Sequence, residues 1–231
     1  MLGWASMVRL VLFDIDGTLI HTGGAGVAAF VQAFADEFGI RDGVERLQFA
    51  GRTDTSLVRE VFQAHGVRPT PELFQRFFDR YVFLLEDRLH RGSGGVIPGV
   101  WDFLDGLARL PQPPLLGLLT GNIRLGAEIK LRHYGLWDRF VVGGFADDSE
   151  DRAAIAAIAR DRGSRALGRD LEPDEVLVVG DTPHDIHCGR AIGARVLAVA
   201  TGGCSRAELR AHQPCWLTDS LAEVNPARVC A

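Results

Sequence analysis

The run LVLFDIDGTLI, residues 10–20, ends an unbroken apolar stretch in two aspartates, Asp14 and Asp16, with one isoleucine between them. Ionised carboxylates beside a hydrophobic strand are costly to desolvate unless something positive meets them. One aspartate after a strand is commonly a turn or cap residue, but one cap needs one carboxylate. A second pair, Asp181 and Asp185 in GDTPHD, closes another apolar run. Carboxylates converging on one point repel each other unless a hard cation sits among them. Magnesium accepts carboxylate and carbonyl oxygens and keeps waters that a phosphate can displace. The positive partner these residues call for is a metal ion.

The elements that must position these groups follow one design. VRLVLF ends at Asp14, PLLGLLT at Thr120 and EVLVVG just before Asp181, while RFVVGG and ARVLAVA are apolar runs without a terminal carboxylate. Such short runs without alternation fit strands buried on both faces of a parallel sheet. Helical patterns lie between them at 98–110, 122–134, 151–167 and 183–192. Alternating strand and helix predicts an α/β fold with a Rossmann-like, doubly wound parallel sheet. Ligands bind beyond the carboxyl ends of such strands, so the polar residues ending them converge on one crevice.

Residues 21–95 break the alternation. GAGVAAFVQAFADEFGI reads as a helix with an apolar stripe through Val27, Val31, Phe34 and Phe38. A second helix starts at Thr70 as N-cap with Pro71 at its first position. It carries Leu73, Phe74, Phe77, Phe78, Tyr81, Leu84 and Leu85 on one face, a stripe that reads as core. A third helix follows the loop AGRTD between them. The expected organisation is a core of residues 7–20 and 96–231 with an inserted helical domain at 21–95. The connections HTGGAG and RGSGG supply glycine for a hinge.

Composition narrows the partners. The 231 residues are 47% hydrophobic and 24% charged, with a net charge of −5, which argues against nucleic acid or an acidic membrane as partner. Cys188, Cys204, Cys215 and Cys230 form neither a C-x-x-C pair nor a zinc-ligand spacing, and His184 and His187 read as helix-start residues. No apolar run is long enough for a transmembrane helix or signal sequence. The expectation is a cytoplasmic protein, monomer or homodimer, with Met7 an alternative start that would leave residues 1–6 as a tail.

With the motifs assembled, the resemblance is specific. Asp14-x-Asp16-Gly17-Thr18-Leu19, LLTGN at Thr120 and GDTPHD at Asp181 resemble motifs I, II and IV of the haloacid dehalogenase superfamily, across essentially the whole chain after Met7. The insertion after motif I is similar to that family's helical C1 cap, and the whole is similar to phosphoglycolate phosphatases. The resemblance implies a magnesium-dependent phosphatase acting on a small phosphorylated metabolite through a phosphoaspartate. By that matching Asp14 is the nucleophile and Asp16 the general acid/base. Asp14, Asp181 and the Asp16 carbonyl hold Mg2+, with Asp185 a ligand or a partner through water. The Thr120 hydroxyl and the amides of Gly121 and Asn122 cradle the phosphoryl group. Arg52, in the cap loop, could pair with a second substrate anion.

Other members of the superfamily remain as alternatives. Dehalogenases typically lack the second aspartate, and phosphonate hydrolysis uses a cap lysine that this chain does not have. A sugar phosphomutase keeps both aspartates but usually carries a histidine where this chain has Gly26. A non-catalytic binding protein on this fold would be free to lose Asp14, Asp16 or Asp181. The motif III lysine is missing from its usual place, where Arg152 stands instead. The only lysine, Lys130, lies inside the helix after motif II and is expected to stay out of the crevice.

Overall fold

The protein is described by a computed structural model over residues 6–231, so nearly all of the tail read at 1–6 lies outside the described residues. In chain order, β1 (Leu10–Phe13) and β2 (Ile20–His21) precede helices α1 (Ala25–Phe38), α2 (Asp54–Ala64) and α3 (Pro71–Arg91). β3 (Gly95–Val96), α4 (Val100–Ala108), β4 (Leu115–Leu119), α5 (Arg124–His133), β5 (Val142–Gly144) and α6 (Arg152–Leu167) follow. The chain closes with β6 (Val176–Gly180), α7 (Pro183–Ala191), β7 (Arg195–Val199), α8 (Arg206–Ala211), β8 (Trp216–Thr218) and α9 (Pro226–Cys230).

Six strands form one parallel sheet in the order β5-β4-β1-β6-β7-β8. All four residues of β1 are buried, as its uninterrupted apolar run requires. One face of the sheet packs on α4 and α5 through Phe13, Phe103, Leu104, Ala127 and Leu131. The other packs on α6 and α7 through Leu12, Ile155, Ala156, Val178 and Ile186. The chain runs outward from β1 through β4 to β5, then returns to β6 on the other side of β1. The strand order reverses there, which puts the ends of β1, β4 and β6 around one crevice. Strand β8, too short and mixed to be read from its pattern, completes the far edge.

Helices α1–α3 share their own apolar cluster of Phe30, Phe34, Leu57, Phe62, Phe77 and Tyr81, dense in edge-on ring contacts. Thr53 and Thr70 cap α2 and α3 by accepting from Ser56 N and Leu73 N, and Pro71 opens α3. The inward face of α1 is wider than the expected stripe: Ala25, Ala29, Phe30, Ala33 and Phe34 are buried, Val31 and Phe38 pack half-buried against the same cluster, and of the expected four only Val27 is exposed. Alanine at 29 and 33 lets α3 pack closely along α1, while Val27 turns to the crevice. Both connections to the sheet domain pass through the β2–β3 ribbon, where Ile20 pairs with Val96 and His21 with Gly95.

Candidate active site

Asp14 follows β1 directly and is 6% exposed. Burial, with the Asp185 carboxylate beside it, pushes its carboxyl up to about 7 against the pull of Arg152. Burial and the same crowd of acids push Asp181, at the end of β6, well above the usual carboxylate range. Asp14, Asp181 and Asp185 each bring one oxygen within 4.8 Å of the others. Three buried carboxylates this close make an unfavourable set without a cation, and an all-oxygen donor set suits a hard divalent ion. The turn after Asp14 is shaped to the same end. Gly17 sits at φ 86°, and a Cβ there would meet Asp181 Oδ2 at 2.5 Å, so only glycine lets the loop close over the acid. Thr18 Oγ1 donates to Asp181 Oδ1 at 2.9 Å.

Arg152, the first residue of α6, reaches into this group. Its Nη1 lies 3.6 Å from Asp14 Oδ1, and Nη2 donates to Asp185 Oδ1. Burial alone would lower its pKa, but the Asp185 and Asp14 carboxylates raise it further, so the guanidinium stays charged. Asp185 turns its other oxygen, Oδ2, to Thr182, accepting from the amide at 3.0 Å and from Oγ1 at 2.6 Å. It therefore both closes the capping box of α7 and anchors Arg152.

A second cluster surrounds Asp16. Asn122 Nδ2 donates to Asp16 Oδ2 at 2.9 Å and to Thr120 Oγ1 at 2.8 Å, and the Asn122 amide donates to Thr120 Oγ1 at 3.2 Å. Lys130 Nζ donates to Asp16 Oδ2 at 2.7 Å and to Asn122 Oδ1 at 2.6 Å. The expectation that Lys130 stays out of the crevice is overturned. Side chains on a helix lean toward its N-terminus. Residue 130 is six positions into α5, about 9 Å along the axis, a distance a lysine stem largely recovers.

The loop before α2 lies over the crevice. Asp54 N donates to Gly121 O at 2.7 Å, and Asp54 Oδ2 accepts from Ile123 N at 2.8 Å. A Cβ at Gly121 would lie 2.0 Å from the Arg52 carbonyl, so this contact needs glycine. Burial pushes the Asp54 carboxyl up to about 6 although Lys130 and the Ile123 amide favour its charge. The crevice, about 590 Å3, has a polar floor of Asp14, Asp16, Thr120, Asn122, Lys130 and Arg152. Its cap-side wall is mainly Val27, Phe30, Phe49, Leu57 and Tyr81.

Residues 11–199 match the family model of haloacid dehalogenase-like hydrolases. The chain belongs to that family. The hydrolase is 30% identical to a phosphoglycolate phosphatase of Synechococcus elongatus, covering 94% of this chain and 95% of the relative. Its fold is shared with CbbY of Rhodobacter sphaeroides, solved in complex with phosphate, at a TM-score of 0.77 and 19% identity, covering 97% and 99% of the two chains. A putative beta-phosphoglucomutase from Bacteroides vulgatus superposes with a TM-score of 0.71 at 21% identity, covering 99% of this chain and 93% of the other.

The hydrolase brings Asp14, Asp16, Thr120, Gly121, Asn122, Arg152 and Asp181 to one cavity, with Asp185 buried behind Arg152. Arg52 lines the cavity too, but its guanidinium pairs with Glu60 at 2.6 Å. His187 lies against His212 on the exposed side of α7, with Nε2 and Nδ1 3.0 Å apart. Among the described residues, His184 and His187 are in no cluster with metal-ligand geometry. Sequence reasoning missed Lys130, Asp54 and Thr18. A usable signal for Lys130 was its position on the apolar face of α5, among Gly126, Ala127 and Leu131. Asp54 lay inside the RTD stretch of the loop that held Arg52, but by itself it reads as an ordinary acidic first-turn residue of α2. No helix among the described residues is long and apolar enough to cross a membrane.

Proposed function

We propose that the protein is a magnesium-dependent phosphatase of small phosphorylated metabolites, working through a phosphoaspartate on Asp14. One observation carries the reading: a buried aspartate flanked by a charged arginine, with a second, half-open aspartate two residues on. Asp14 attacks phosphorus as the bond to the leaving oxygen breaks, and Asp16 gives that oxygen its proton. Asp16 then takes a proton from the water that attacks the phosphoaspartate, so inorganic phosphate leaves and Asp14 is restored. Thr120 and the Gly121 amide hydrogen-bond the phosphoryl oxygens, while the Asn122 amide is taken by Thr120 Oγ1, and Arg152 offsets the phosphoryl charge together with that of Asp14. Asp14, Asp181, the Asp16 carbonyl and, directly or through water, Asp185 would hold Mg2+, which when bound neutralises the crowded carboxylates and draws charge from the phosphoryl group.

Residues 21–95 act in this reading as a cap that closes over the substrate. A crevice covered by helices on one side suits metabolites rather than polymers; phosphoglycolate heads the candidates because a relative carries that activity in its name. The phosphomutase alternative is disfavoured by Gly26, which puts no imidazole where such an enzyme usually carries its histidine.

The test is hydrolysis of p-nitrophenyl phosphate and of a panel of phosphorylated metabolites, with Mg2+ and after chelation. Turnover should need Mg2+, fail with Ca2+, and drop at least about a thousandfold in a folded Asp14→Asn variant. Undiminished activity after chelation, or more than about 10% of kcat left in Asp14→Asn, would sink the reading.

A further inference from the structure

Lys130 lines the cavity and takes no part in the steps above. It is 4% exposed, and a buried ammonium is stabilising only where its partners are well placed. Its two hydrogen bonds go to Asp16 Oδ2 and Asn122 Oδ1. Asn122 in turn donates to the same oxygen of Asp16. The Asp16 carboxylate is thus held by one oxygen from two directions, while 42% of the side chain stays open. Gly26 lies beside Lys130 and leaves it room. The Cβ that Gly26 lacks would stand 3.5 Å from Nζ and 3.7 Å from Cε, with the Tyr81 hydroxyl 3.9 Å from the same point. A leucine or methionine would fill this position on the apolar face of α5 at less desolvation cost.

We propose that Lys130 is a positioning residue acting through Asp16. By fixing Oδ2 and the Asn122 amide it holds the carboxylate in the one orientation that turns its other oxygen toward the leaving group. This rests on the acid/base role given to Asp16 above. An orienting group matters in proportion to how much the reaction needs the proton that Asp16 delivers. Lys130 should therefore be felt in kcat for poor leaving groups and hardly at all in substrate affinity.

The experiment uses the full chain with Mg2+ and a series of aryl and alkyl phosphates. Lys130→Met should lower kcat by about 30-fold for an alkyl phosphate and by less than about threefold for p-nitrophenyl phosphate, with KM within about threefold in both cases. In an Asp16→Asn background the same change should cost less than about a further twofold, because its intermediary is already gone. Equal losses across leaving groups, or full additivity with Asp16→Asn, would overturn the proposal. If Lys130→Met does not fold, Lys130→Gln, which keeps an N–H donor, is put through the same series, with a milder loss of the same pattern expected. A structure of the folded variant decides independently of turnover: Asp16 should leave Asn122, and an unchanged Asp16 would refute the role. A wild-type protein inactive on every phosphate ester would refute the phosphatase reading instead, and the orientation of Asp16 in the variant would still decide for Lys130.

Discussion

The cavity floor carries two cation–carboxylate clusters, and they are built differently. Arg152 comes from the start of α6 and spreads one delocalised charge over two acids from different parts of the chain, Asp14 and Asp185. Lys130 comes from the far end of α5 and turns a compact ammonium to one acid and one amide. The first cluster is nearly buried, with Asp14 and Arg152 showing only a small face to the cavity, whereas the second has one open member, Asp16. A planar fork suits neutralising several oxygens at once, and a point donor suits aiming a single group. The contrast suggests that the Asp14 side is organised around charge and the Asp16 side around orientation.

Arg152→Ala tests the contrast most strongly. It should lower kcat/KM by at least about a hundredfold, about 2.7 kcal/mol of transition-state stabilisation. Unlike Lys130→Met, it should do so equally for good and poor leaving groups, and it should weaken inhibition by inorganic phosphate. An Arg152→Ala loss that grows with leaving-group pKa would erase the difference between the two clusters.

A smaller effect is expected in the pH dependence of stability without metal. The Asp14 carboxyl, at about 7 in the folded protein, lies above the usual 3.8, so the folded state binds more protons than the unfolded state between those values. Stability is therefore fully present below about 4 and falls as pH rises through about 7. Melting of the chelated protein from pH 5 to 8 should drop by several degrees, and the drop should shrink in Asp14→Asn. Added Mg2+ should stabilise more at pH 8 than at pH 6. A pH profile identical in wild type and Asp14→Asn would remove the crowding argument from the Asp14 side.

The smallest effect belongs to Arg52, outside both clusters. Its pairing with Glu60 leaves it a limited part in recognition, so Arg52→Ala should raise KM by no more than about threefold. The rise should be confined to substrates with a second anion. A uniform change with neutral-tailed phosphates would return Arg52 to a structural contact on the cap.

What the sequence alone determined were the features written in consecutive residues. Unbroken apolar runs specify strands buried on both faces, and the residues ending them, Asp14, Thr120 and Asp181, must fall at one edge of a parallel sheet. Arg152 was legible through the family resemblance, which sets a basic residue at the start of the helix after β5, and that start lies at the same edge. Thr70 and Pro71 announced a helix start because capping is a contact within four residues.

Other features depended on contacts between distant segments. The inward face of α1 was wider than its large apolar residues marked out, because Ala29 and Ala33 lie where α3 approaches. Asp54 meets Ile123 across 69 residues, and Lys130 meets Asp16 across 114. Lys130 looked like a mid-helix residue facing away because its number measures distance along the chain. The lean of helical side chains toward the N-terminus, the packing of α5 on the sheet and the gap at Gly26 carry its ammonium back to the strand ends. Only the assembled tertiary structure contains all three.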